Sequence, residues 1–445
     1  MDKARDTAIK IMNEVHENGA YANVALTRQL RKAELDDTDR RFVTELVYGA
    51  VKAGDTLDWI LRRYVNRPLK KIPPMIREIL RLGLYQIFYL DKVPDSAACN
   101  TAVDLAKKYS HPGTVKFVNA VLRTAVREPE RAKFPEGNGH ATEGLALASQ
   151  HPQWLVKRWV KAFGFEETQS LCDFNNGQAQ LSVRANTLRA DRDTLLAALK
   201  EAGTEAEPSK WAPEGVIITA HGSLDRLQPL QDGLCQVQDE SSMLVAHVVD
   251  PQPGEFVIDC CSAPGGKTTH LAALMQDKGR ILAGDIYEHK IDRIQENADR
   301  LGISIIETQL LDAREVGQSY PAQADRVLVD APCSGLGVLR RKPDARWNKS
   351  EAEIGELPAL QHAIIESAAA AVKPGGVLVY STCTIEPAEN QAIVEAFLAK
   401  HPQFQLEPAG DYLPVKRPEA MVQLYPQRDG TDGFFIARMR RSLEA

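Results

Sequence analysis

Along the first 130 residues the apolar positions recur every third or fourth residue and almost never every second. Between residues 4 and 17 they fall at Ala8, Ile9, Met12 and Val15, close to the spacing of one helix face. Asp37-Thr38-Asp39 can cap a helix through Phe42, Val43, Leu46 and Val47. Pro73-Pro74 opens another through Ile76, Ile79, Leu80, Leu84 and Ile87, since proline fits the first helical turn, where its missing N–H is not needed. Asp95-Ser96 caps a further helix carrying Ala98, Ala102, Val103 and Leu105, and 114–127 forms one more. An all-helical domain over 1–140 is therefore predicted. The stretch 129–150, with Pro135-Glu136-Gly137-Asn138-Gly139, reads as a linker.

His151-Pro152 then leads a helix containing Trp154, Leu155, Trp159 and Val160. Leu181-Ser182-Val183-Arg184-Ala185-Asn186 alternates like a strand, a helix follows at 192–202, and a short strand at 216–218. These predict a small α+β module over 150–230. From about 235 strand and helix alternate: strands at 256–259, 280–285, 326–330 and 377–381, helices at 267–275, 288–301, 360–372 and 387–400. Repeated βα units imply an open, mostly parallel, doubly wound sheet over 231–445, with ligands beyond the carboxyl ends of its strands.

Composition changes this picture little: 44% of the residues are apolar, enough to bury real cores. Charge changes it more. The net charge of −6 argues against a nucleic-acid binder, but residues 1–140 carry +6 and the remainder −12. A basic front end on an acidic chain fits a module that meets phosphates. No apolar run approaches the ~18–20 residues of a membrane span, and none follows Met1-Asp2-Lys3-Ala4-Arg5-Asp6 as a secretory signal would require. A cytoplasmic protein, not bound to a membrane and monomeric, is expected. Seven cysteines without a C-x-x-C pair suggest neither a disulfide framework nor a structural zinc site.

The chemically special residues lie at strand ends. Asp259-Cys260-Cys261-Ser262-Ala263-Pro264-Gly265-Gly266-Lys267-Thr268 has the Gly-Lys-Thr of a phosphate loop, but Cys261 stands where its first glycine must be. What remains is a small-residue turn that lets a ligand approach the backbone and a helix N-terminus. Asp259, Asp285, Asp312 and Asp330 close four successive strands. Acids so placed suit ribose hydroxyls, which points to a nucleoside-like cofactor, either a dinucleotide or S-adenosylmethionine.

Two cysteines, Cys333 in Asp330-Ala331-Pro332-Cys333-Ser334-Gly335 and Cys383 in Ser381-Thr382-Cys383-Thr384, follow apolar strands at the same edge. A thiolate there could add to carbon 6 of a cytosine, making carbon 5 electron-rich enough to take a methyl group. Such a cysteine needs positive charge nearby, for which Lys267 is the candidate. An acid that hydrogen-bonds the base helps too, and Asp330 is placed for that. Strand position does not rank the two cysteines.

The motifs Cys261-Ser262-Ala263-Pro264-Gly265-Gly266-Lys267, Asp330-Ala331-Pro332-Cys333-Ser334-Gly335 and Ser381-Thr382-Cys383-Thr384 resemble those of the Nop/Sun RNA cytosine-5 methyltransferases. Arg40-Arg41-Phe42 with Leu46-Val47-Tyr48-Gly49, Ala102–Lys108 and Phe117–Arg123 resemble the NusB-type RNA-binding domain that part of this family carries. Val183-Arg184-Ala185-Asn186-Thr187 resembles its small α+β module, and Asp432-Gly433-Phe434-Phe435-Ile436-Ala437 a C-terminal family feature. The resemblance implies a NusB-like helical domain, a small α+β module and a Rossmann-like methyltransferase domain. It implies Cys383 as nucleophile, Cys333 as the residue that assists product release, and S-adenosylmethionine held by residues 261–267, Asp285, Asp312 and Asp330. Ser262 departs from the alanine common in the family, a small-for-small exchange. The implied partner is RNA, expected to be 16S ribosomal RNA. The same chemistry on transfer RNA or another ribosomal site, and a non-catalytic RNA-binding assembly or antitermination factor, are the alternatives; the intact cysteine pair speaks against the last.

Two basic groups are candidate RNA contacts. Arg340-Arg341-Lys342-Pro343-Asp344-Ala345-Arg346-Trp347 places cations beside an aromatic, as phosphates and a stacked base require. Arg62, Arg63, Arg67, Lys70 and Lys71 cluster in the helical domain.

Overall fold

The computed structural model describes residues 2–137, 139–220 and 227–443. Asn138 of the expected linker and residues 221–226 of the expected α+β module lie outside the described residues. The chain forms two compact units. The first comprises the residues up to Asn176 together with Arg341–Lys349, and the second Gly177–Arg340 with the chain from Ser350 onward.

The first unit contains α1 (Lys3–Asn18), α2 (Ala22–Lys32), α3 (Asp37–Arg62), α4 (Pro74–Tyr89), α5 (Asp95–Tyr109), α6 (Pro112–Arg127), α7 (Ala141–Ala148), α8 (Gln153–Phe163) and α9 (Phe165–Asn176). Among its described residues there is no strand, as the periodicity required. The apolar stripes of α1, α3, α4, α5 and α6 meet in one core that includes Ile9, Met12, Leu46, Leu57, Leu80, Leu105 and Leu122. Asp36 and Asp2 cap α3 and α1 through their side chains. The expected linker is in part helical: Ala-Thr-Glu-Gly-Leu-Ala-Leu-Ala forms α7, because strong helix formers follow the Pro- and Gly-rich stretch. Near the middle of α3, Gly54 departs from helical geometry with φ of +39°. The Trp347 ring packs there so closely that a Cβ on Gly54 would lie 2.3 Å from its Nε1.

The second unit holds two sheets. The smaller is antiparallel, in the order β2–β3–β1–β4, from β1 (Leu181–Ala185), β2 (Glu205–Pro208), β3 (Gly215–Ala220) and β4 (Cys235–Val237), with α10 (Arg192–Glu201) against it. The larger runs β10–β12–β9–β8–β5–β6–β7, with β11 paired to β12. Its strands are β5 (Phe256–Asp259), β6 (Arg280–Asp285), β7 (Ile306–Leu310), β8 (Ala324–Asp330), β9 (Val372–Thr382), β10 (Phe404–Glu407), β11 (Met421–Leu424) and β12 (Phe434–Arg441). The five strands from β7 to β9 are parallel, and β10, β11 and β12 are antiparallel. Helices cover both faces. Leu244, Leu271 and Ile294 pack with Val257 and Ile281 on one side. Ile365, Val394 and Phe397 pack with Ile258, Val327 and Leu378 on the other. Burial on both faces is why the central strands read as continuous apolar runs.

The three antiparallel strands escaped the βα reading. β12 ends Ala-Arg-Met-Arg-Arg, a pattern that argues against a buried strand. Arg438 is nonetheless buried, because Glu407 on β10 takes its Nε at 2.6 Å and the carbonyls of Val248 and Val249 take its Nη1. No helix among the described residues is long and apolar enough to cross a membrane.

Candidate active site

Parallel pairing sets the ends of β5, β8 and β9 side by side, with Asp330 in register with Ser381. The loops that leave β8 and β9 then turn back on each other. Ala331 N–H donates to Ser381 O at 2.8 Å, and Gly337 N–H to Cys383 O at 3.0 Å. Glycine is needed at 337, where a Cβ would lie 2.1 Å from Gly433 O and 2.9 Å from Cys383 O. The outcome is that Cys333 Sγ and Cys383 Sγ, fifty residues apart in the chain, are 3.4 Å apart. Both cysteines are half-buried.

Lys267 reaches this place from the first turn of the Gly266–Leu274 helix. Its Nζ donates to Asp330 Oδ2 at 2.7 Å and sits 5.1 Å from the centre of the Phe434 ring. Ser381 Oγ donates to the other oxygen of Asp330 at 2.9 Å. Burial pushes the Lys267 ammonium down, but Asp330 and then the Cys383 sulfur raise it, and the net shift is upward. It is therefore a permanent cation beside the thiols. The Cys333 thiol is pushed well up by its hydrogen bond with Cys383, by burial and by the Glu389 carboxylate. The sequence-predicted catalytic residues Cys383, Cys333, Asp330 and Lys267 are thus brought together. The neighbouring Cys260 and Cys261 thiols are pushed up by burial, which makes them poor nucleophiles.

The Cys261–Gly266 turn is fixed to the next strand. Ser262 gives both its N–H (3.0 Å) and its Oγ–H (2.9 Å) to Gly284 O, so the small hydroxyl in place of alanine has a structural use. Asn297 Nδ2 holds Pro264 O at 2.9 Å, and Gly265 turns with φ of +97° into the helix. Of the four strand-end acids, Asp259 is buried beneath this turn and accepts from Thr268 Oγ1 at 2.7 Å. Burial pushes its carboxyl up to about 7. Asp285 accepts from Tyr287 N–H at 3.2 Å and lies 3.6 Å from Lys290 Nζ. Asp312 is held by Arg314, whose Nε and Nη2 donate to it at 2.6–3.1 Å and keep it below the usual carboxylate range. Ile286 and Tyr287 just beyond β6 and Leu310 at the end of β7 are large apolar side chains left exposed. Small-residue turn, acid and exposed apolar patch together fit the polar and flat parts of an adenosine-bearing cofactor.

Several residues of the site carried no signal in the chain. Glu389 and Asn390 read as the start of a helix, yet both are buried between the cysteine loops. Ser334 Oγ and Thr384 Oγ1, at 2.7 Å, tie those loops together. Gln361, buried on the Glu351–Ala371 helix, donates to Pro332 O at 3.0 Å. Two adjacent polar residues six positions after a strand-end cysteine were the available clue.

In the basic stretch after the Pro-Cys motif, the reading of Arg340, Arg346 and Trp347 as free RNA contacts is corrected. Arg346 is fully buried in the first unit, where its Nη1 donates to Gln150 O and Asn176 Oδ1, each at 2.9 Å. Trp347 Nε1 donates to Lys52 O at 3.0 Å. Arg340, in the second unit, pairs with buried Asp432 at 3.2 Å. These side chains are engaged within the fold, because a guanidinium with carbonyl acceptors on hand is better held there than left in water. Arg62, Arg63, Arg67, Lys70 and Lys71 are exposed, with Arg63 over Trp59 (4.1 Å) and Arg67 over Phe117 (4.4 Å).

Elsewhere in the second unit, Glu214 Oε1 lies 2.9 Å from Nε2 of both His247 and His270. These are groups able to ligate a metal. Burial pushes the Glu214 carboxyl up, but its hydrogen bonds with His247 and His270 outweigh this and the net shift is downward; Arg184, also buried there, is bonded to Thr269 Oγ1 at 3.1 Å.

Comparison with known proteins is consistent along the chain. The family profile "16S rRNA methyltransferase RsmB/F" matches residues 246–440, "NusB family" matches 2–127, and a "Methyltr_RsmF/B-like, ferredoxin-like domain" matches 151–225. The chain is 41% identical to the "Probable ribosomal RNA small subunit methyltransferase B" of Bacillus subtilis, over 98% of both chains. It is 40% identical to the Synechocystis protein of the same name, over 99% of this chain and 100% of that one. The crystal structure of PH0851 superposes with a TM-score of 0.84 at 29% identity, covering 99% of each chain.

Proposed function

The chain belongs to the RsmB/F family of 16S rRNA methyltransferases, and from that premise we propose that it methylates carbon 5 of a cytosine in 16S ribosomal RNA with Cys383 as nucleophile. The observation that carries the reading is the pair of thiols 3.4 Å apart beside the Lys267–Asp330 ion pair. A single thiol at a strand end has many uses. Two in contact, with a cation and a carboxylate, match a reaction that makes and later breaks a carbon–sulfur bond.

Cys383, as thiolate, adds to carbon 6 of the ring. Lys267 favours that anion and holds Asp330 in place. Asp330 accepts a hydrogen bond from the exocyclic amino group and so orients the base, while the Lys267 ammonium beside it offsets the negative charge that the addition puts on the ring. S-adenosylmethionine, when bound, supplies an electrophilic methyl group for carbon 5. Residues 261–267 and Asp285 would hold it, with Asp330 at the boundary between cofactor and base; Asp312 contributes through the loop it shares with Arg314. Carbon 5 then gives its proton to solvent water, the electron pair left behind restores the 5,6 double bond and expels Cys383 as thiolate, and Cys333 assists this release. The target cytosine has to be unpaired or turned out of its stack to reach the thiols. We assign RNA binding to the helical domain and the α+β module, with the Arg62–Lys71 cluster on phosphates, and catalysis to the doubly wound domain.

The test is direct. Incubated with S-adenosylmethionine and 16S ribosomal RNA, the protein should form 5-methylcytosine, and Cys383→Ala should form none, read by nucleoside mass spectrometry. Wild-type turnover in Cys383→Ala contradicts the reading.

A further inference from the structure

Two thiols in contact pose a question that the family chemistry leaves open, namely what decides which of them ionises. The answer lies in two consecutive residues outside both cysteine motifs. Glu389 is fully buried, and its Oε2 accepts from Ser334 N–H at 2.8 Å and from Gln361 Nε2 at 2.9 Å. Its own carbonyl accepts from Tyr380 Oη at 2.8 Å. It is therefore locked to the residue that follows Cys333. Asn390 is buried too and clasps the other loop. Thr382 Oγ1 donates to its Oδ1 at 2.6 Å, and its Nδ2 donates to Thr384 O at 3.0 Å. Thr382 and Thr384 flank Cys383.

We propose that Glu389–Asn390 is the positioning device of this site: it sets the spacing of the two sulfurs, and the Glu389 carboxylate keeps Cys333 protonated so that Cys383 is the thiolate. Glu389 Oε1 has no hydrogen-bond partner among the described residues. A neutral carboxyl there would have no acceptor for its proton, whereas a carboxylate is served by two N–H donors on Oε2. An anion locked to the Cys333 loop opposes a second negative charge on that sulfur. On the other side Lys267 offers a positive charge to Cys383. Among the described residues, Glu389 and Tyr380 act on the Cys333 side, with Cys261 and Asp330 also felt by Tyr380, and Lys267 with its partner Asp330 acts on the Cys383 side. The field across the two sulfurs has a direction, negative on one side and positive on the other. A proton shared between them belongs on Cys333, whose S–H then donates to the Cys383 thiolate across the 3.4 Å contact.

This inference rests on Cys383 being the nucleophile, and its test separates the two. Iodoacetamide alkylation of each cysteine, followed by peptide mass spectrometry across pH, is performed on the full-length protein without RNA. In the wild type, Cys383 should be alkylated at lower pH than Cys333; the reverse order overturns the proposal without any variant. In Glu389→Gln, which keeps the shape and one acceptor, Cys333 alkylation at pH 7 should rise about tenfold, one unit of thiol titration, while Cys383 changes little. If neither rate moves, or both move together, the charge of Glu389 does not divide the pair and the proposal is wrong. Methyl transfer measured alongside should fall in kcat with the KM for S-adenosylmethionine retained. Should Cys383→Ala remain active while the alkylation order holds, the nucleophile assignment fails and the electrostatic division stands.

Discussion

At the ends of β6 and β7 the acids are held by few bonds: buried Asp285 meets one backbone N–H and a distant lysine, and half-buried Asp312 a single arginine. At the ends of β8 and β9 half-buried Asp330, Cys333 and Cys383 sit in an interlocked set of buried partners. Asp330 carries Lys267 and Ser381, and Ser334, Thr384, Gln361, Glu389 and Asn390 form a continuous hydrogen-bonded lattice around the two thiols. The two halves of one sheet edge face different demands. On the proposed function a cofactor enters and leaves at the β6 and β7 ends in each turnover, which suits a half held by few bonds. Bond making at carbon requires reacting groups fixed to a fraction of an ångström, so its half is over-determined.

The comparison can be broken most severely at Lys267. Lys267→Met removes the positive charge that Asp330 and Cys383 share in the interlocked half. Turnover should fall by about 10²–10³-fold in tritiated-methyl incorporation, with the fold intact by circular dichroism. A drop of only a few fold would mean that the interlocking serves stability rather than chemistry.

Asp259 sharpens the contrast in a different way, since it ends β5, the strand between the two halves, and is fully buried. Burial lifts its value from 3.8 to about 7, so between those limits the folded protein holds a proton that the unfolded chain has released. The stability this contributes is fully present below about pH 4 and is lost as pH rises to about 7. Asp259→Asn has no such proton and should gain on the wild type across that window, by on the order of 1–3 kcal/mol at pH 8. Urea unfolding at several pH values measures it; a difference that does not change with pH refutes the buried-acid account.

Smaller effects are expected in the half held by few bonds. Asp285→Asn should weaken cofactor binding about tenfold, the loss of one charged hydrogen bond. Asp312→Asn should change it by less than about threefold, because Arg314 already occupies that carboxylate. Calorimetric titration with S-adenosylmethionine distinguishes them. Equal losses would show that both acids hold the ligand.

The contrast also decides how much could be read from the chain. The βα alternation, the four strand-end acids and the two cysteine motifs are local patterns, each set by a strand and the turn after it. They were legible, as was the helical character of the first domain. The lattice around the thiols is not local. Glu389 matters because of Ser334 and Gln361, 55 and 28 residues away. The Gly433–Phe434 pair matters because Gly337 and Lys267 come to rest on it. The Arg340–Trp347 stretch misled for the same reason. Cations and an aromatic on a loop look like a ligand surface until the fold shows that Gln150, Asn176 and Lys52 already engage them. The C-terminal strands were hidden by arginines whose partner, Glu407, lies on another strand.

The division of labour between the two thiols is the central claim, and trapping the covalent adduct tests it most directly. Cys333→Ala, incubated with 16S ribosomal RNA and S-adenosylmethionine, should accumulate a denaturation-resistant protein–RNA band on a gel, because Cys383 can still bond carbon 6 and release is impaired. Cys383→Ala and the double variant should show no such band. An adduct that forms in Cys383→Ala and is lost in Cys333→Ala would reverse the roles, and no adduct in any variant under conditions where the wild type turns over would contradict covalent catalysis at this site.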